Sequence, residues 1–283
     1  MITQLYKALV LCSVMMLASC GNNNNEKTEE IVGSEEHHST SSEQESKFNA
    51  QNVFNTLPDR RLVLKLIEEN KIDYNPDFLN DPTAVNKYTV EYLKALNLGI
   101  YGSDLSIASS FDQTQESMVF LKCVNILATN LGVNSAFDQR MFDRISANDN
   151  HKDSVLEIVT DAFRKVDEIL KNNHRPATSA IILSGCWIEG LYVSCRIGQD
   201  VDAAPVIKTI LEQKESLKNL IVMLESVQLE NSSQFVLDDL RGLYQTFEAT
   251  GSVTSFDKKA IEKITEKISA LRNAIVSGAP NKA

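Results

Sequence analysis

Along residues 255–277 the apolar side chains recur at Ile261, Ile264, Ile268, Leu271 and Ile275, at spacings of three and four. Glu262, Lys263, Glu266, Lys267 and Arg272 fall between them. That is the period of one helix face, and it predicts an amphipathic helix closed by Gly278 and Pro280. The same reading finds further helices upstream. Phe235, Val236, Leu240, Leu243, Tyr244 and Phe247 mark one that ends near Gly251. Val206, Ile210, Leu217, Leu220, Ile221 and Leu224 mark another, with Pro205 in its first turn, where a missing N–H costs nothing. Val155, Val159, Ala162, Val166 and Ile169 form a stripe behind a capping box at Ser154-Val155-Leu156-Glu157. Met118, Leu121, Val124 and Leu127 lie on a helix capped from Asp112 and stopped at Gly132. A short helix is expected over 135–146. A long one starts at Asp81-Pro82 and carries Val85, Tyr88, Tyr92, Leu96 and Ile100, and Leu62–Ile67 suit a short N-terminal helix. No stretch alternates apolar and polar residues at period two. The pattern predicts an all-α domain, a multi-helix bundle of about seven to nine helices.

Two segments break the amphipathic rule. Residues 178–198 place Ile181, Leu183, Trp187, Ile188, Leu191, Tyr192 and Val193 on most sides of a helix, and a helix apolar all round is buried. Residues 96–109 contain Gly99, Tyr101, Gly102 and Asp104 in a similar setting. Gly185 and Gly190, like Gly99 and Gly102, are unfavourable inside a helix, so they point to a close approach of backbone or ligand. Tyr101 aligns with Trp187 and Leu105 with Leu191, which suggests a degenerate internal duplication.

The N-terminus changes the picture. Lys7 precedes an apolar run from Ala8 to Leu17, too short to span a bilayer as a mature helix, ending in Leu17-Ala18-Ser19-Cys20. This resembles a bacterial lipoprotein signal with its lipobox. The resemblance implies a signal peptide over 1–19, lipidation of Cys20, and a stable membrane anchor built from several acyl chains. Gly21 after the cysteine points to the outer membrane. Residues 20–48 form an acidic tether rich in Asn, Glu, Ser, Thr and His, too polar to fold, with an r.m.s. span on the order of 30 Å. Asn22–Asn25 followed by Glu26-Lys27-Thr28-Glu29-Glu30 resembles the export signals of Bacteroidota surface lipoproteins. The helical domain then occupies 49–283.

Of the 283 residues, 28 are basic and 38 acidic, a net charge of −10. The tether carries seven Glu against two Lys, so about half of the acidic excess lies outside the domain. An acidic chain without a basic cluster is a poor nucleic-acid ligand. With Cys12 in the signal and Cys20 lipidated, Cys123, Cys186 and Cys195 remain, an odd number that allows one bond from Cys123 to Cys186 or Cys195 and reads best as three buried thiols.

Tyr101-Gly102-Ser103-Asp104-Leu105 and Gly185-Cys186-Trp187-Ile188-Glu189-Gly190-Leu191-Tyr192 together resemble an uncharacterised family of helical Bacteroidota lipoproteins. The likeness covers about residues 55–275. It implies a periplasmic or surface-facing helical domain and brings no activity with it.

Asp104 and Glu189 are the acids inside these apolar stretches, and perturbed carboxylates gather at functional sites. Tyr101, Asp104, Trp187, Glu189 and Tyr192 therefore form the candidate ligand-binding face. The alternative is that both acids are satisfied core polar groups. Metal-ligand spacing, a nucleophile elbow and a phosphate loop are all missing from the sequence, so no cofactor or metal is expected. His37, His38, His151 and His174 read as solvated. The function expected is a non-enzymatic, membrane-anchored binding module for an envelope protein, small molecule or glycan. The alternatives are a small-molecule or glycan sensor of an envelope complex, and a hydrolase built on the two carboxylates.

Overall fold

The computed structural model describes residues 72–147, 152–200, 204–250 and 258–278. The signal, Cys20, the tether, the Leu62–Ile67 helix and His151 lie outside them. Within the described residues the chain is all-α, with no strand. Eight α-helices follow in order: α1 Glu91–Ser110, α2 Thr114–Leu131, α3 Gln139–Ala147, α4 Lys152–Asn172, α5 Pro176–Asp200, α6 Ala204–Glu225, α7 Gln234–Ala249 and α8 Lys258–Val276.

The apolar stripes fold as their periodicity requires. Ile261, Ile264, Ile268, Leu271 and Ile275 are all buried on α8, as are Val236, Leu240, Leu243 and Phe247 on α7. Gly132 ends α2 at φ +75°, a left-handed conformation that turns the chain back so that the Val133 N–H donates to the Ala128 carbonyl at 2.8 Å.

The two helices that read as apolar all round form the centre. α1 and α5 pack on each other more extensively than any other distant pair. Of the described helices, α5 alone is long and apolar enough to cross a membrane, yet 89% of its apolar window is buried within the protein. α2 and α4 flank α1, while α6 and α8 flank α5; α4 and α8 each touch both central helices. α3 packs on α4, and α7 lies on α6 and α8.

At the central crossing two glycines let the helix backbones touch. A Cβ added to Gly99 would lie 2.1 Å from the Ile182 carbonyl oxygen, and one added to Gly185 would lie 2.0 Å from the Leu96 carbonyl oxygen. These contacts are reciprocal: one offset of 86 residues carries Leu96 onto Ile182 and Gly99 onto Gly185. It also carries Tyr101 onto Trp187, the register suggested by the sequence. The packing repeats only in part: α1 meets α2 and α4 as α5 meets α6 and α8, and α3 meets α4 as α7 meets α8, but α7 also packs on α6 whereas α3 has no comparable contact with α2.

Two local expectations need correction. Asp81-Pro82 does not start one long helix. Asp81 caps a turn of 3-10 helix, Pro82–Lys87, through the Thr83 N–H at 2.8 Å. The chain is then extended from Tyr88 to Val90, and α1 begins at Glu91. The break turns Tyr88 inward, where its hydroxyl donates to the Val276 carbonyl at 3.2 Å. The N-cap of α2 is Gln113, and Asp112 stands one residue before it at φ +58° in the connecting turn. Helix α4 begins at Lys152, which puts Ser154 inside the first turn instead of at the cap.

Candidate functional site

The structure separates the five residues of the candidate face. Two residues along a helix rotate the side chain by about 200°. Trp187 and Glu189 therefore leave α5 on nearly opposite sides. Trp187 is fully buried against α6 and donates its indole N–H to Ser216 Oγ at 3.0 Å. Tyr101 lies on the other flank of α1, its hydroxyl donating to the Asp81 carbonyl at 2.8 Å and its ring 6.2 Å from that of Phe120. Burial pushes the Tyr101 hydroxyl pKa well above its ordinary value.

Asp104, Glu189 and Tyr192 are brought together, and Arg272 of α8 joins them. The guanidinium donates from Nε to Glu189 Oε2 at 3.0 Å and from Nη2 to Oε1 at 2.9 Å. This bidentate fork is the strongest geometry for such a pair. The same guanidinium sits 4.6 Å from the centre of the Tyr192 ring. Burial disfavours the charge on Arg272, but the facing Glu189 outweighs it and lifts its pKa above the ordinary value. Asp104 accepts the Asn80 backbone N–H on Oδ2 at 3.2 Å. Its pKa is raised well above the ordinary carboxyl range, first by burial and then by Glu189.

Asp104 and Glu189 have 0% exposure and Arg272 has 7%. The cluster is thus closed to solvent and completes the core. Around it runs a polar seam that the sequence reading missed. Asn80 Nδ2 donates to the Tyr88 hydroxyl at 3.2 Å and to Asn97 Oδ1 at 3.5 Å, and Asn97 Nδ2 donates to the Leu93 carbonyl at 2.9 Å. Ser103 Oγ bridges the central helices by donating to the Cys186 carbonyl at 3.1 Å. The signal for Arg272 was present: it is four residues after Ile268 and next to Leu271, at the edge of the buried stripe.

The three cysteines are buried thiols outside any disulfide. Burial pushes Cys123 up to about 11 and Cys195 up to about 12, which keeps them protonated and poor nucleophiles. His174 is exposed in the turn after α4 at φ +57°. Among the described residues no group of three or more His, Cys, Asp or Glu is placed to hold a metal ion.

A surface cleft of about 320 Å³ opens between α3 and α4. Asp138, Arg140, Arg144, Asp161 and Lys165 line it over buried Met141 and Ile158. Its charges are largely answered locally: Arg140 pairs with Asp138 at 2.9 Å and Arg164 with Asp161 at 2.7 Å.

Comparison with protein-family models, with curated proteins and with solved structures finds no match.

Proposed function

We propose that the protein is a lipid-anchored lipoprotein of the bacterial cell envelope whose helical domain works as a non-catalytic binding module. The lipobox ending at Cys20 and the acidic tether after it support the anchor. On this reading the anchor sits in the outer membrane, and the partner is an envelope protein, small molecule or glycan. The observation that carries the non-catalytic part is the sealing of Asp104 and Glu189. A general acid must come within about 2.6–3.2 Å of the group it protonates. Two carboxyls with 0% exposure, one of them clasped by Arg272, offer no such approach. Glycoside hydrolysis also needs open space between its carboxyls for sugar and water.

The anchor is tested by expressing the full chain in a Gram-negative host fed an alkyne fatty acid. Wild-type protein is expected to carry the label and to fractionate with membranes. Cys20→Ala is expected to lose both properties. An unlabelled wild type, or a labelled variant, would refute the reading. The binding role is tested by thermal unfolding against purified envelope glycans and envelope proteins, where a bound partner raises Tm with concentration. No rise with any of them would count against it.

A further inference from the structure

Where α1, α5 and α8 meet, the described residues place two acids, Asp104 and Glu189, with one base, Arg272. Arg272 directs Nε and Nη2 to Glu189, one hydrogen bond to each carboxylate oxygen. Asp104 receives one N–H, from Asn80, on Oδ2, while its Oδ1 is buried and accepts no hydrogen bond. Leaving a buried carboxylate oxygen unsatisfied is expensive. A second carboxyl group, Glu189, lies within hydrogen-bonding reach of Asp104. Among the described residues, the other titratable groups that act on Asp104 bring no positive charge. They are Tyr74 and Tyr88 from the segment before α1, Tyr101 on α1 itself and Cys123 on α2.

We propose that Asp104 keeps its proton in the folded protein and donates it from Oδ1 to Glu189, so that Asp104, Glu189 and Arg272 form one electrically neutral unit. This gives the orphaned Oδ1 a partner. It turns the contact between two acids from repulsion into a hydrogen bond. One negative and one positive charge remain, already joined by the fork. The raised pKa of Asp104 agrees with this assignment: burial and Glu189 push it up, and Arg272 and the Asn80 N–H pull it down by less. The unit fastens the C-terminal helix to both central helices.

The proton has a thermodynamic signature. In the unfolded chain Asp104 ionises near about 3.9. In the folded chain it stays protonated, so above about pH 4 unfolding releases a proton. The stabilisation is fully present below the unfolded value and is lost as pH rises towards the folded value. This one group then lowers the folding constant about tenfold for each pH unit in that window. An asparagine has the same shape, presents an N–H to Glu189 and has no proton to lose.

Urea titrations of the full chain and of Asp104→Asn at pH 4, 5, 6 and 7 test the assignment. The ratio of folding constants, variant over wild type, is expected to rise about tenfold per pH unit. A ratio independent of pH would overturn the proposal. A second measurement needs no variant: the Asp104 Cγ resonance in ¹³C NMR is expected to show no ionisation step near pH 4. An ordinary titration there would overturn the proposal even if Asp104→Asn failed to fold.

Discussion

Gly99→Ala is the sharpest perturbation the fold allows. The added methyl would lie 2.1 Å from the Ile182 carbonyl oxygen, 2.6 Å from the Cys186 nitrogen and 3.0 Å from the Gly185 carbonyl carbon. All three are backbone atoms of α5, so no rotamer change relieves them. An ordinary carbon–oxygen contact is about 3.3–3.6 Å, so the axes of α1 and α5 must part by roughly 1 Å. A gap of about 0.5–1 Å already forfeits a quarter to a half of each dispersion contact it opens. Overpacking costs about 1–3 kcal/mol, and a clash confined to two backbones belongs at the upper end. Alanine returns about 1 kcal/mol of helix propensity, leaving a net loss of about 2 kcal/mol or slightly more. That is a large part of a total stability of about 5–15 kcal/mol. With a urea m-value of about 1–3 kcal/mol/M, the midpoint should fall by about 1 M. Urea unfolding followed by circular dichroism at 222 nm measures it. Two other glycines calibrate the result. At Gly102 the new methyl meets the Phe163 ring at 2.2 Å, a side chain that can move, so the loss should be smaller. At Gly242 the nearest atom is Lys267 Nζ at 3.6 Å, so alanine should stabilise by up to about 1 kcal/mol. Gly185→Ala should match Gly99→Ala, and the double variant should lose less than the sum because one separation relieves both clashes. If Gly99→Ala proved as harmless as Gly242→Ala, the close crossing would be refuted.

Glu189→Gln removes the counter-charge of a buried arginine and should cost about 3–5 kcal/mol in denaturant unfolding; a loss under about 1 kcal/mol would show that the fork does not hold α8. Cys123, Cys186 and Cys195 should resist a thiol reagent at pH 8 in the native protein and react on unfolding, so rapid labelling of any of them in the native protein would contradict their burial. Trp187, the one tryptophan, should emit at short wavelength and resist iodide quenching until the chain unfolds. A red-shifted, quenchable native spectrum would place it outside the core.

Much of this architecture was legible without coordinates. Ile264 and Ile268, or Leu240 and Phe247, repeat at the helical period because each helix buries one face, and the stripe records which. The buried centre was legible for the opposite reason: α1 and α5 carry apolar residues on every side because neighbours cover every side. Their glycines pointed to a close approach: at Gly99 and Gly185 what approaches is backbone, and at Gly102 it is the Phe163 ring. The break at Tyr88–Val90 was not legible, since Val85, Tyr88 and Tyr92 continue a helical spacing. What decides it is tertiary. Tyr88 bonds Asn80 on one side and Val276, 188 residues along the chain, on the other.

The candidate site divides along the same line. Asp104 and Glu189 stand out as acids in apolar surroundings, and their meeting follows from the register of the two central helices. Trp187 sits two residues from Glu189 in sequence but faces a different neighbour, because helix geometry turns it to the opposite side. Arg272 lies at the edge of α8's apolar stripe, four residues after Ile268, but nothing in the sequence names its partner; only the docking of α8 turns it towards Glu189.

By itself, then, the chain's pattern of side chains determined the helices, the stripes each would bury and which two would be central, because these depend on local periodicity and on the cost of exposing apolar surface. The partner of each buried charge was decided by the tertiary structure. A carboxylate in a core needs a neutralising group, but the chemistry of that need says nothing about which of many surface-like charges will answer it. Only the packing of α8 against α1 and α5 brings residue 272 to residue 189.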